Sequence, residues 1–202
     1  MRTTRLSIFV SIVAIAVGGC STYVNIPAQT GDIAHNNPNI TDIVTIQARA
    51  VKAVAQEQKA DRPFEGAYFF VLPQGANARS YNTAQKEVGE LATCGTLPAP
   101  GPREEEWDKP FSPQVPANVP TLDVRQILIR GYTGQVDVVR PSDPKDARQP
   151  AQLVTVYMKW TPLDGWYAQR MHAWHMPVGD ALKRSRLDAE TETPAGPRVE
   201  ER

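Results

Sequence analysis

Residues 153–175 read LVTVYMKWTPLDGWYAQRMHAWH, and this stretch decides the fold of the chain. Its two arms are rich in β-branched and aromatic residues, which favour strands. Between the arms lies TPLDG, in which Asp164-Gly165 is a signal typical of a two-residue hairpin turn. Residues 153–160 and 166–175 are therefore predicted to form an antiparallel β-hairpin.

The same kind of pattern begins upstream of this hairpin. Residues 122–129 and 135–139 are rich in Val, Leu and Ile, and they flank the turn sequence GYTG at 131–134. A charged, proline-bounded loop at 141–150 then leads to the hairpin. Four strands that follow one another through turns and loops predict an antiparallel meander.

Two helical segments precede the meander. In residues 41–59 apolar side chains recur every three or four positions, and Thr41 is the expected N-cap. Residues 82–92 predict a second helix, and residues 67–72, AYFFVL, predict a buried strand between the two. We therefore expect an α+β domain: an antiparallel four- to five-stranded sheet, with the C-terminal meander as its main part, and one or two helices packed on one face.

The register of the hairpin determines which side chains share a face. A two-residue turn, which we favour, would gather aromatic and polar side chains on the face opposite the apolar one. This candidate binding surface consists of Tyr157, Arg170, His172 and Trp174. Such a mixture suits recognition, because Tyr and Trp supply contact area while Arg and His supply hydrogen bonds. A five-residue loop that pairs Trp160 with Trp166 is the competing register, and it would move His172 and Trp174 to the apolar face.

Residues 95–120 hold seven prolines and the acidic run EEE at 104–106. Prolines spaced in this way exclude a helix or an inner strand, so a long surface loop is expected. Trp107 and Phe111 are isolated aromatic residues within the loop and are candidates for anchoring a partner. The alternative, which we favour, is that both aromatic side chains tuck onto the domain.

Recognisable chemistry is scarce in this sequence. It contains no nucleophile elbow, P-loop, His-Glu-x-x-His or dinucleotide-binding fingerprint. His172 and His175 are three residues apart, and side chains three apart along a strand point to opposite faces. We therefore expect no catalytic residue, no metal site and no cofactor.

The first twenty residues carry a targeting signal. A short positive region at 2–5 precedes an apolar stretch at 6–17, and VGGC at 17–20 places small residues directly before a cysteine. This pattern resembles the lipobox of bacterial lipoproteins, in which the cysteine is lipid-modified and becomes the first residue of the mature chain. The resemblance implies that residues 1–19 are a signal peptide and that Cys20 carries a lipid anchor.

Two other interpretations of the N-terminal segment stay open. The sequence AIA at 14–16 fits ordinary signal-peptide cleavage, which would leave Cys20 as a free thiol, and an uncleaved anchor would be short for a bilayer. If Cys20 carries lipid, Cys94 has no disulfide partner and is expected to be a packed thiol. Ser21, rather than Asp, follows Cys20. By the same resemblance, this implies an outer-membrane protein facing the periplasm if the host is a diderm bacterium.

These segments divide the chain into four parts. They are a signal peptide at 1–19, a polar tether at 20–39, a single α+β domain at 40–179 and a charged, disordered tail at 180–202. The whole chain has 22 Lys and Arg against 22 Asp and Glu, and without the two arginines of the signal peptide 20 remain against 22, a net charge of about −2. A chain this close to neutral lacks the basic footprint of a nucleic-acid-binding protein.

The sequence thus predicts a lipid-anchored protein of the bacterial envelope that holds a non-catalytic binding or structural module near a membrane. Its partners would be the membrane, through the lipid, and an envelope protein or glycan. An envelope hydrolase with an unrecognised active site is the alternative. A cleft with a His or a carboxyl pair of perturbed pKa would favour that alternative.

Overall fold

The computed structural model describes residues 23–28, 34–98, 104–145 and 150–191, which form three helices and one seven-stranded sheet. The helices are α1 (Thr41–Asp61), α2 (Ala78–Val88) and α3 (Val178–Thr191). The strands are β1 (Tyr23–Ile26), β2 (Tyr68–Val71), β3 (Ala92–Thr93), β4 (Thr121–Arg130), β5 (Thr133–Pro141), β6 (Ala151–Thr161) and β7 (Gly165–Ala173).

The sheet is mixed, with the order β3-β2-β4-β5-β6-β7. Strands β4 to β7 form the predicted antiparallel meander. The expectation of a purely antiparallel sheet of four or five strands is wrong, because β2 runs parallel to both β3 and β4. Helix α2 connects β2 to β3, and a strand that returns through a helix comes back parallel to the first, which accounts for the β2–β3 pair.

Strand β1 lies inside the segment that the sequence assigned to a tether. It pairs antiparallel with the last four residues of β4, on the same edge of β4 that β2 occupies further along. Val24 and Ile26 are buried in the main core, which explains why this short segment joins the sheet. The domain therefore begins before residue 40, and the predicted boundary is wrong there.

Helix α1 covers one face of the sheet and confirms the helix predicted at 41–59. Its buried side chains, among them Ile43, Ile46 and Val54, pack with valines of the central strands such as Val136 and Val156. Apolar residues at three- and four-residue spacing place this whole stripe against the sheet. The N-cap is Ile40 and not Thr41, and no side chain caps the helix there.

Helix α2 lies four residues earlier than the predicted 82–92. The side chain of Asn77 accepts a 2.9 Å hydrogen bond from the backbone N–H of Ser80 and so caps its first turn. At the other end Gly89 has a φ of +68°, which ends the helix. A local cap and a local stop therefore decide the bounds of this helix.

Helix α3 covers the opposite face of the sheet. The sequence predicted helices on one face only, and this expectation is wrong. Ala181 and Ser185 of α3 are fully buried, and the helix contacts β5 and β6. The predicted boundary between domain and tail at 179/180 is therefore wrong, because it cuts through a helix that belongs to the fold. Residues 192–202 of the expected tail lie outside the described residues.

The turn of the β6–β7 hairpin follows the competing register. Trp160 pairs with Trp166 and Thr161 with Gly165, so the favoured two-residue turn is wrong. The hydroxyl of Thr161 donates to the Asp164 carboxylate and accepts from the Asp164 N–H, both at 3.1 Å. Gly165 has a φ of +66°, the left-handed conformation that closes a three-residue loop.

A β-bulge then changes the register further along the hairpin. Gln169 is the extra residue on β7, so that Tyr157 lies opposite Arg170 and Thr155 opposite His172. His172 therefore lies on the face away from α1, and the competing register is wrong for this part of the strand. Neither register alone describes the hairpin.

Candidate functional site

A groove of about 270 Å³ lies beside α3, on the sheet face that α3 covers. Its polar lining comes from four neighbouring strands and includes Arg130, Gln135, Tyr157 and Arg170. Side chains alternate along a strand, so adjacent residues such as Val136 and Val156 point into the core beneath α1. The groove is thus the polar side of the same four strands that build the core.

Each arginine of the groove is positioned by a tyrosine. The guanidinium carbon of Arg170 lies 3.8 Å from the centre of the Tyr157 ring, its cross-strand partner. The guanidinium of Arg130 lies 5.3 Å from the centre of the Tyr23 ring and donates a 3.2 Å hydrogen bond to the Tyr23 hydroxyl. Guanidinium groups keep their charge at every physiological pH, and stacking on a ring orients that charge without removing it.

Next to the groove lies a buried polar network centred on Asp137. Ser185 and Thr155 each donate a 2.6 Å hydrogen bond to one of the two carboxylate oxygens. Gln126 donates a third at 3.2 Å, and the indole N–H of Trp174 donates to the Thr155 hydroxyl at 2.8 Å. The carboxylate of β5 therefore collects donors from α3, β4 and β6.

Two more side chains extend this network to the groove and to β1. Gln135, which lines the groove, donates to the Ser185 hydroxyl and, at 3.2 Å, to the Ser185 carbonyl. Arg186 donates to Gln126 at 3.1 Å and to Asn25 at 3.0 Å. Polar contacts thus tie α3 to β1, to β4 and to the floor of the groove.

Burial raises the pKa of Asp137 from 3.8 to about 6, and hydrogen bonds from Ser185 and Thr155 limit the rise. In an open cleft, a carboxyl with such a pKa would be a candidate general acid or base. Both Asp137 and Ser185, however, have no solvent-exposed surface. A substrate has no access to either group, so the arrangement holds α3 in place.

The predicted recognition residues divide into two groups. Tyr157, Arg170 and His172 share the face away from α1, and Tyr157 and Arg170 line the groove. His172 is exposed, and its ring meets the Trp174 ring edge-on with centroids 4.6 Å apart. Trp174 itself is buried beneath α3 against Ala181 and does not belong to an open surface, because α3 occupies that part of the sheet.

The proline-rich loop lies on the domain over its described residues 104–120. The ring of Phe111 packs edge-on against Tyr81 with centroids 5.2 Å apart, and its N–H donates to the Ala76 carbonyl at 2.9 Å. Trp107 is half-buried, and its carbonyl accepts a 3.2 Å hydrogen bond from the N–H of Arg79. The contacts of Phe111 agree with the favoured interpretation and leave this side chain little surface for a partner.

Cys94 is a packed thiol. Its side chain is buried, and burial raises the pKa of the thiol to about 11. The thiolate is the reactive form, so this cysteine is inert at neutral pH. Cys20 and the predicted signal peptide at 1–19 lie outside the described residues.

Among the described residues, no three His, Cys, Asp or Glu side chains are grouped so that they could hold a metal ion. In the same part of the chain, no helix is both long and apolar enough to cross a membrane.

The sequence did not point to the Asp137 network or to Arg130. The sequence does contain a signal for the network. Asp137 interrupts a run of valines in β5, and the face of β5 opposite Asp137 has to be buried. On α3, Ala181, Ser185 and Ala189 are spaced by four, a stripe of small side chains in an otherwise charged helix. Together these two patterns indicate a helix packed closely over a polar strand face.

Comparison of the chain with protein-family models, with curated proteins and with solved structures gave no match.

Proposed function

We propose that this chain is a lipid-anchored protein of the bacterial envelope, held by a lipid on Cys20. The support is the sequence of a short positive region, an apolar stretch and VGGC at 17–20. Ser21 after the cysteine supports the outer membrane, facing the periplasm, in a diderm host. The described domain begins at Tyr23, so it lies directly beside the anchor.

The domain, in this proposal, is a non-catalytic binding module whose ligand occupies the groove beside α3. The single observation that carries it is the pair of arginines, Arg130 and Arg170, that two tyrosine rings hold at one groove. Fixed guanidinium groups recognise carboxylates or phosphates through paired hydrogen bonds, and Gln135 and Tyr157 add polar and stacking contacts. An acidic glycan of the envelope fits this chemistry, as does an acidic segment of an envelope protein.

The alternative, an envelope hydrolase, needs a nucleophile or base that a substrate can touch. The carboxyl with the most strongly raised pKa among the described acidic residues is Asp137, and it is closed off by α3 and by its own donors. No observation of the site favours this alternative over binding.

The anchor is tested on the full chain expressed in a diderm bacterium. The intact mass of the mature wild-type protein should correspond to a chain that begins at Cys20 with bound lipid, and the protein should fractionate with membranes. Cys20→Ala should be released or accumulate uncleaved, whereas the control Cys94→Ala should behave as wild type. A mature chain that begins at Val17 with an unmodified Cys20 would contradict the anchor.

The groove is tested with two matched ligands, a soluble peptidoglycan fragment with free carboxylates and a neutral chito-oligosaccharide of the same length. Titration calorimetry should detect binding of the acidic fragment only, and Arg170→Gln should abolish or strongly weaken it. Arg125→Gln is the control, since Arg125 is a partly exposed arginine of the same sheet that pairs with Asp123 outside the groove. Equal binding by both variants would show that the groove is not the site.

A further inference from the structure

One end of the sheet exposes an unusual share of large hydrophobic side chains. The described residues expose seven of them, and four lie at this end: Tyr23, Ile40, Tyr132 and Leu163. Leu163 is 94% exposed and Tyr132 63%, at the tips of the β6–β7 and β4–β5 turns respectively. We call this part of the molecule the aromatic end. An exposed apolar cluster of this kind marks a contact surface.

The two turns of the aromatic end are held together. The rings of Tyr132 and Trp160 stack with centroids 5.3 Å apart, and the Trp160 N–H donates to the Tyr132 carbonyl at 2.9 Å. Behind them an apolar groove of about 300 Å³ runs to the first turns of α1, lined by Ile40 and Ile43 among others. The aromatic end is therefore a preformed surface with fixed side chains.

The path of β1 limits how far Cys20 can lie from this end. Strand β1 is antiparallel to β4 and its first residue, Tyr23, pairs with Arg130, the last residue before the β4–β5 turn. Only Ser21 and Thr22 separate Cys20 from Tyr23. Three residues, even fully extended, span roughly 10 Å. A lipid on Cys20 would thus enter the bilayer within roughly 10 Å of Tyr23, at the same end of the sheet as the two turns.

We propose that the aromatic end rests on the phospholipid surface in which Cys20 is anchored, with Leu163 and Tyr132 entering the headgroup region. Tyr and Trp rings suit that layer, because one part of each ring is apolar and the other can hydrogen-bond with water or headgroups. The proposal rests on the lipid anchor at Cys20. It fixes the orientation of the domain, with the strands rising from the membrane and the loops near His175 pointing away.

The contact is apolar rather than electrostatic. Lys159 and Arg130 lie near the turns, and the exposed Asp42 and Asp164 lie there too. Positive and negative groups offset one another there, so anionic lipid should add little attraction. The expected partner is therefore a phospholipid surface irrespective of its charge.

The test uses the full-length lipidated protein, purified from membranes and reconstituted in phosphatidylcholine vesicles. Leu163→Cys is labelled with an environment-sensitive fluorophore, and Met176→Cys, exposed beyond the opposite end of β7, is the matched control. Cys94 is buried and should take up no label. The fluorophore at position 163 should show blue-shifted emission and several-fold weaker quenching by aqueous iodide than the fluorophore at 176. Replacing part of the phosphatidylcholine by phosphatidylglycerol should leave the emission maximum at both positions unchanged.

The outcomes separate the two proposals. If intact mass shows lipid on Cys20 while iodide quenches both positions equally, the aromatic end does not touch the membrane and the anchor stands. If the mature protein carries no lipid, both the anchor and the contact are overturned. Protection at 163 that disappears when the protein is diluted in excess lipid would show that a second copy of the chain covers this end, which overturns the membrane contact.

Discussion

The hydroxyl of Ser185 on α3 donates a 2.6 Å hydrogen bond to a carboxylate oxygen of Asp137 on β5, and neither side chain has exposed surface. Helix α3 buries few apolar side chains, chiefly Ala181 and the partly buried Leu182. Its attachment to the sheet therefore depends on a polar network in which one buried carboxylate is the main acceptor. The free energy of unfolding of the domain should therefore depend on whether that carboxyl is charged.

Stability should fall as the pH rises through the titration of Asp137. Its pKa is raised to about 6 in the folded protein, so between pH 3.8 and 6 the folded state binds more protons than the unfolded state. The contribution of this group is thus fully present below pH 3.8 and is lost as the pH passes about 6. A rise of about two units in the pKa of Asp137 on folding corresponds to roughly 3 kcal/mol in the free energy of unfolding.

Asp137→Asn isolates this effect, because the amide keeps the shape of the carboxyl and does not titrate. Urea unfolding of both proteins at pH 4, 5, 6 and 7.5 gives the difference between them. Between pH 4 and pH 7.5, the free energy of unfolding of the wild type should fall by roughly 2–3 kcal/mol relative to that of Asp137→Asn. Parallel curves for the two proteins would contradict the raised pKa.

Ser185→Ala should destabilise the domain by roughly 1–3 kcal/mol at pH 7.5, because it removes a donor from a buried carboxylate. The loss should be smaller at pH 4, where the carboxyl is neutral. Lys183→Ala, an exposed position on the same helix, is the control and should stay within about 0.5 kcal/mol of wild type. Urea unfolding measures the cost, and faster amide exchange confined to α3 would locate it. Equal effects of the two variants would rule out a supporting role for Ser185.

Local patterns accounted for much of this fold. Helix α1 and the four strands of the meander are long and regular, so apolar spacing alone placed them within a few residues. Strand β1 was missed because four residues beside Pro27 show no usable alternation, and their burial depends on an edge of β4 a hundred residues away. The parallel pairing of β2 was missed for the same reason.

The candidate site was only partly predictable. Tyr157 and Arg170 were identified as neighbours on a polar face, but through a register that the Gln169 bulge replaces with another. Asp164-Gly165 indicates a turn but not its length, and no sequence pattern marks the bulge at Gln169 that changes the register again. The burial of Trp174 followed from the docking of α3, a helix whose charged sequence resembles a solvated tail.

The proline-rich loop should be attached to the domain by Phe111. Phe111→Ala removes the edge-on contact with Tyr81 and should cost roughly 1–3 kcal/mol, less than a fully buried phenylalanine. Val115→Ala is the control on the same loop, since Val115 is 49% exposed. Limited proteolysis should cut residues 104–120 faster in Phe111→Ala than in wild type or Val115→Ala. Unchanged cleavage would mean that other contacts hold the loop.

Two glycines should respond to alanine with opposite signs. Gly165 has a φ of +66° at the hairpin turn, and a Cβ there would meet Arg49 only at 3.7 Å, an ordinary contact. The cost of Gly165→Ala is therefore that of the left-handed backbone, roughly 1–2 kcal/mol. Gly179 lies in the first turn of α3 with nothing within 4 Å of its Cβ position, so Gly179→Ala should gain up to about 1 kcal/mol from helix propensity.

Urea midpoints at pH 7.5 test this pair directly. Gly165→Ala should shift the midpoint down and Gly179→Ala should shift it up. Gly165 begins β7 and Gly179 lies in α3, which follows the other end of β7, so the double variant should show the sum of the two changes. A neutral Gly165→Ala would mean that the turn relaxes to another type, and Tyr132 would then lose the stacking partner that Trp160 provides in the present register.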